Sequence, residues 1–102
     1  MKLTETTGLR KVLPRLDILY ETRIQKERFA DPAQYEKLKD AYIIDSELVK
    51  SGKRDLVVMH PLPRVNEITT EVDVMPNAWY FRQVRHGVYV WMALLALVLG
   101  AL

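Results

Sequence analysis

Two places in this chain combine residue types and spacing that could do chemistry. Arg23 and Gln25 follow a short apolar run directly, and a second apolar run ends in His60-Pro61-Leu62-Pro63-Arg64. A guanidinium presents a planar fork of donors matched to a carboxylate, and a glutamine amide can fix a neighbouring polar group. Two prolines around a leucine fix the backbone of an exposed turn, and X-Pro bonds are where cis peptides occur. Residue types alone therefore describe a small-anion or amino-acid site built from Arg23 and the Pro61–Arg64 turn. At this level the plainer readings stay open. Arg23 could be a surface arginine, Lys26-Glu27-Arg28 a self-paired charged loop, and His60 a structural histidine closing a strand.

Other chemistries lack their residues. No second histidine or carboxylate stands at metal-ligand spacing, since His86 is alone near the terminal apolar run. There is no Gly-rich phosphate loop, nucleophile elbow or HExxH helix, so neither a metal site nor a cofactor is expected. The Trp79-Tyr80-Phe81 cluster reads as core rather than as a platform for stacked bases. With 15 basic and 13 acidic residues the formal net charge is +2. The two signs alternate (Lys26-Glu27-Arg28, Glu36-Lys37, Lys39-Asp40), which describes a solvated surface and not a nucleic-acid interface. Absence of cysteine removes disulfides and thiolate sites. Met1–Arg10 lacks the apolar core of a secretory signal, so a cytoplasmic location is expected.

The elements that must position these residues are short. Leu9–Leu16 reads as a helical turn broken at Pro14, and Asp17–Tyr20 as a buried strand. Glu21–Arg28 is too charged to stay in a sheet. Asp31-Pro32 starts a helix, with aspartate as N-cap, that runs through Tyr35 and Leu38 toward Ala41. Tyr42–Ile44 predicts a strand, and Asp45 or Ser46 caps a further helix that stops near Gly52. Leu56–Met59 is the clearest strand. Ala78–Arg85 has helical spacing, and Gly87 separates it from a terminal helix at about 88–100. All charged residues precede His86, and the apolar run Val88–Leu102 is shorter than the about 20 residues that span a bilayer. No membrane partner is expected; a helix apolar all round should be buried by protein, and the preceding residues suffice to cover one side of it, so part of its apolar surface is expected to stay uncovered. Strands alternating with helices predict an α/β fold with parallel strands, whose ligands bind beyond the carboxyl ends of the strands. Arg23 and the His60–Arg64 loop both stand at such ends.

Ile18-Leu-Tyr-Glu-Thr-Arg-Ile-Gln-Lys-Glu-Arg28 and His60-Pro-Leu-Pro-Arg-Val-Asn-Glu-Ile68 resemble motifs of the aspartate carbamoyltransferases. So do Ala78-Trp-Tyr-Phe-Arg-Gln83 and Met92-Ala-Leu-Leu-Ala-Leu-Val-Leu-Gly100, and order and spacing agree over roughly residues 8–102. Pro61 stands where the sister ornithine enzymes have a cysteine. The resemblance implies part of a Rossmann-like three-layer sandwich, with residues 1–102 as a partial aspartate-binding domain ending in a long apolar helix. It implies carbamoyl transfer from carbamoyl phosphate to L-aspartate, a step of pyrimidine biosynthesis. Arg23 would hold a carboxylate of aspartate with Gln25 nearby. The backbone of Leu62 and Pro63, joined by a cis bond, would meet the carbamoyl group and the amine. Glu27, Arg28, His60, Arg64 and Glu67 would steady these loops, and Lys26–Lys39 would close over the substrates.

The same resemblance marks what these residues do not contain. The family's Ser-Thr-Arg-Thr phosphate motif does not occur, nor do the loop lysine of a neighbouring subunit, the carbonyl-polarising histidine and a further aspartate-binding arginine. No complete catalytic set is therefore expected, and the partners implied are a carbamoyl-phosphate-binding domain and other subunits of a trimer-type assembly. Trp91 stands where the family usually has an arginine that steadies the proline loop, and Asn66 where many members have aspartate. A non-catalytic amino-acid-binding or interaction module derived from the same family is the alternative that Trp91 favours.

Overall fold

The computed structural model describes residues 2–101. Helix α1 (Leu9–Val12) passes at Leu13 into a 3₁₀ turn that ends at Arg15, and strand β1 (Ile18–Tyr20) follows. A 3₁₀ turn at Lys26–Arg28 precedes α2 (Pro32–Leu38) and α3 (Ser46–Lys50). Strand β2 (Val57–Met59), a 3₁₀ turn at Thr70–Val74 and α4 (Tyr80–Val98) complete the chain. β1 and β2 pair in parallel, Ile18 with Val57 and Tyr20 with Met59. These two strands lie within the expected Asp17–Tyr20 and Leu56–Met59 and run parallel, which makes the fold α/β with parallel strands.

Local chemistry accounts for the short helices. Asp31 Oδ1 accepts from the Ala33 N–H at 2.9 Å, and Pro32 fills the first helical position of α2. For α3 the cap is Asp45, whose Oδ1 accepts from the Leu48 N–H at 2.7 Å. That cap also explains why Tyr42–Ile44 is not a strand. Ile44 makes a single parallel bridge to Ile68 before Asp45 turns the chain into α3. Gly52 follows α3 without the left-handed backbone of a glycine cap; a Cβ there would lie 2.9 Å from Leu56 Cδ2. Its role is close approach.

The largest difference from expectation is α4. Gly87 separates nothing: one 19-residue helix runs from Tyr80 to Val98. An interior glycine costs a helix only about 1 kcal/mol and breaks no backbone hydrogen bond. The helix ends instead at Gly100, where φ is +67°, with Gly100 N–H donating to Leu97 O and Ala101 N–H to Ala96 O. Both bonds belong to the Schellman cap.

Leu13, Leu19, Ile44, Leu48, Val49, Leu56, Val58, Ile68, Val72 and Tyr80 form the core around the paired strands. Only the first residue of α4 joins it. Val88, Val90, Trp91, Leu95 and Val98 stay exposed, so this chain leaves the terminal apolar segment uncovered. Among the described residues, no helix is long and apolar enough to cross a membrane.

Candidate functional site

Both loops leave the carboxyl ends of neighbouring strands. Glu21 N–H still donates to Met59 O at 2.9 Å, so the chains run abreast one residue beyond the ladder and then diverge. Between them lies a cleft of about 610 Å³, lined by Thr22, Arg23, Gln25, Arg28 and Phe29 on one side and by His60–Pro63 on the other. The Leu62–Pro63 bond is cis, and Leu62 has φ +50°. A left-handed backbone costs a non-glycine residue about 1–2 kcal/mol, so the surrounding contacts must hold it there.

His60 provides one such contact. It is wholly buried, its Nδ1 accepts from the Leu62 N–H at 2.8 Å, and its Nε2 lies 2.7 Å from Glu67 Oε1. Because Nδ1 accepts, the ring proton sits on Nε2 and is donated to Glu67. The other oxygen of Glu67 accepts from the N–H groups of Val65 and Asn66 at 3.0 and 3.1 Å. Burial pushes the Glu67 carboxyl up. The N–H groups of Glu67 and Val65, together with His60, outweigh it and hold the group below its ordinary value. His60 and Glu67 thus brace the proline turn from inside.

Arg64 braces it from outside. Its guanidinium makes a two-pronged pair with Asp73, the Nη2 prong at 2.6 Å, and Nη1 also donates to the Tyr80 hydroxyl at 3.3 Å. The Asp73 bond raises the pKa of Arg64, and the Arg64 bond lowers that of Asp73. Burial and the neighbouring Asp73 push the Tyr80 hydroxyl up to about 12. Asp73 and Tyr80 escaped the sequence reading. The aspartate lies in a 3₁₀ turn with no motif around it, and the tyrosine sits in an aromatic cluster that reads as core.

On the facing loop, Arg23 Nη2 pairs with Glu27 Oε1 at 3.2 Å, and both side chains remain largely solvated. Glu27 therefore orients Arg23, while Arg23, Gln25 and Arg28 reach the cleft. The Phe29 and Tyr35 rings meet edge to face at 5.9 Å, and Lys26 Nζ lies 5.7 Å from the Tyr35 ring centre, joining the charged loop to α2. Half-buried Glu21 lines a small recess behind the cleft with Arg23, Lys39 and Glu67. Burial first, and then the charge of Glu67, raises its pKa from 4.5 to about 7 against the pull of the Thr22 N–H. Asn66 bonds to Asp40 at 2.6 Å, and Trp91 faces solvent, so nothing from the last half of α4 reaches the proline loop. No group of three or more potential metal ligands occurs among the described residues.

The model of the aspartate/ornithine carbamoyltransferase family, Asp/Orn-binding domain, matches residues 1–98. The chain belongs to this family. The aspartate carbamoyltransferase catalytic subunit of Alkaliphilus oremlandii is 59% identical over 100 residues, 98% of this chain and 30% of that protein. Its counterpart in Alkaliphilus metalliredigens is 55% identical over 102 residues, all of this chain and 33% of that one. Aspartate transcarbamoylase of Trypanosoma cruzi, solved with carbamoyl phosphate and aspartate, superposes with a TM-score of 0.76 at 43% identity, covering 84% of this chain and 28% of that one. The chain thus spans about a third of the length of the curated carbamoyltransferases it matches.

Proposed function

We propose that residues 1–102 are the aspartate-binding part of an aspartate carbamoyltransferase catalytic subunit, a C-terminal portion of its Rossmann-like three-layer domain. The observation that carries this reading is the single cleft in which Arg23, Gln25 and Arg28 face the Leu62–Pro63 turn. Arg23, held by Glu27, offers its fork to a carboxylate of L-aspartate, and Gln25 orients the same substrate. The backbone of Leu62 and Pro63, braced by His60, Glu67 and Arg64, positions the carbamoyl group and the attacking amine. In the reaction the amine nitrogen bonds to the carbonyl carbon of carbamoyl phosphate, the bond from that carbon to the phosphate oxygen breaks, and the phosphate leaves with the proton that the nitrogen gives up. Closure of the Lys26–Lys39 segment excludes water and aligns the reactants.

The charge that develops on the carbonyl and phosphate oxygens needs donors that these 102 residues do not supply. A carbamoyl-phosphate-binding domain and other subunits of a trimer-type assembly provide them, without metal or cofactor, in the cytoplasm. The test is to co-express the chain with the carbamoyl-phosphate-binding domain of the Alkaliphilus oremlandii relative and assay carbamoyl-aspartate. Activity in the pair and none in the 102-residue chain alone is expected. In the active pair Arg23→Ala should reduce kcat/KM for aspartate by about thirtyfold, the equivalent of about 2 kcal/mol for a lost charge-assisted pair. A pair that forms without activity would instead support a non-catalytic binding module, the reading that exposed Trp91 favours.

A further inference from the structure

Strand β2 is paired on both edges, and one of these edges stops at His60. Toward the far side from β1, the Val58 N–H donates to Asn77 O at 2.8 Å and the Trp79 N–H donates to Val58 O at 2.9 Å. The next donor on that side is the His60 N–H. In a continuing ladder it would meet the carbonyl of Trp79, but the chain turns into α4 at Tyr80 and that carbonyl accepts from the Gln83 N–H at 2.8 Å instead. His60 is wholly buried, so water cannot take the place of the missing strand.

Gln83, one turn into α4, fills the gap. Its Oε1 accepts from the His60 N–H at 3.1 Å, and its Nε2 donates to the Tyr20 hydroxyl at 2.9 Å. His60 is the residue from which the proline turn departs. Tyr20 is the last residue of β1, from which the Arg23 loop departs. One amide therefore joins the roots of both loops that wall the cleft. None of the other bonds to His60 does this: its ring engages only Leu62, in the proline turn, and Glu67, just beyond it on the same loop.

We infer that Gln83 is a positioning residue that sets the separation of the proline turn and the Arg23 loop, resting on the carbamoyltransferase reading above. Its acceptor arm holds the backbone that aligns amine and carbamoyl group, so losing it acts on kcat. Its donor arm holds the end of β1, so losing that acts on KM for aspartate.

The experiment uses the chain paired with the carbamoyl-phosphate-binding domain and compares Gln83→Met, close in shape but without acceptor or donor, with Gln83→Glu, which keeps the acceptor. Amide hydrogen exchange at His60 is measured on the same complexes. Gln83→Met should lower kcat about tenfold, raise KM for aspartate about threefold and speed exchange at His60, whereas Gln83→Glu should keep kcat within about threefold of the parent. Tyr20→Phe should affect KM more than kcat. Gln83→Met with kinetics and His60 exchange like the parent overturns the inference, as does Gln83→Glu failing as badly as Gln83→Met. If the parent pair makes no carbamoyl-aspartate, the functional reading falls by itself. His60 exchange then decides the clamp: unchanged in Gln83→Met, it is refuted, and faster in Gln83→Met but restored in Gln83→Glu, it stands.

Discussion

At the residue scale, the candidate site is held together by charged groups whose protonation differs between folded and unfolded chains. Asp73 and Glu67 have lowered pKa values, so their stabilising contribution is present at neutral pH and is lost as pH falls through the folded values. Glu21 works the other way. With its folded pKa raised from 4.5 to about 7, the folded state holds the proton longer, and stability falls as pH rises across that window. Stability should therefore peak on the acid side of neutrality. Glu21→Gln should flatten the fall between pH 4.5 and about 7 and stabilise the protein by about 1 kcal/mol at pH 8, read from urea midpoints across pH. Asp73→Ala tests the outer brace. It strands the Arg64 guanidinium and the Tyr80 hydroxyl, both largely enclosed, and should cost about 2–3 kcal/mol. A change below 0.5 kcal/mol would show that the ion pair is merely solvated.

At the element scale, two glycines serve opposite purposes. Gly52 lets the end of α3 approach Leu56 and Leu13, and an added methyl group would press on Leu56 Cδ2, 2.9 Å away. Gly87 lies inside α4 with nothing within 4 Å of where a Cβ would stand. Gly52→Ala should destabilise by about 1–2 kcal/mol through overpacking, while Gly87→Ala should stabilise by about 0.5–1 kcal/mol by favouring the helix. Paired denaturation curves would check the signs, and stabilisation by both would mean that Leu56 relaxes without cost. The parallel pairing of β1 and β2 is the element-scale device that matters most. It sends two loops out from the same end of the sheet, which is why residues so distant in sequence share one cleft.

At the scale of the whole molecule, α4 leaves the body of the protein after its first turns. The radius of gyration is 16.5 Å, where about 13 Å is usual for a compact domain of this length. The exposed Val, Leu and Trp side chains along the last three turns form an apolar surface of the kind that associates in water. The isolated chain should self-associate as concentration rises in sedimentation velocity. Leu95→Lys with Val98→Lys should reduce that association while leaving the fold, read by circular dichroism, unchanged. A monomer at all concentrations would mean that α4 folds back over this surface in solution.

Local chemistry in the sequence determined the strands, the Asp31 and Asp45 caps, the proline turn and the family, because each rests on residues adjacent in the chain. Arg23, Gln25, His60 and the Leu62–Pro63 turn were legible as site candidates for the same reason, whereas Arg28 entered only through the family resemblance, as a residue steadying the loop; all of them line one cleft. Tyr42–Ile44 misled because an apolar triplet fits a strand anywhere, while the Asp45 cap leaves room for one bridge only. Gly87 misled because composition changes there without any change in backbone geometry. Only the tertiary structure decided that Asp73 and Tyr80 brace Arg64, that Glu21 stands beside Glu67, and that Gln83 completes the edge of β2. Those partners are 7 to 63 residues apart. No local pattern carries such pairings, since what selects them is a buried donor or charge left without water.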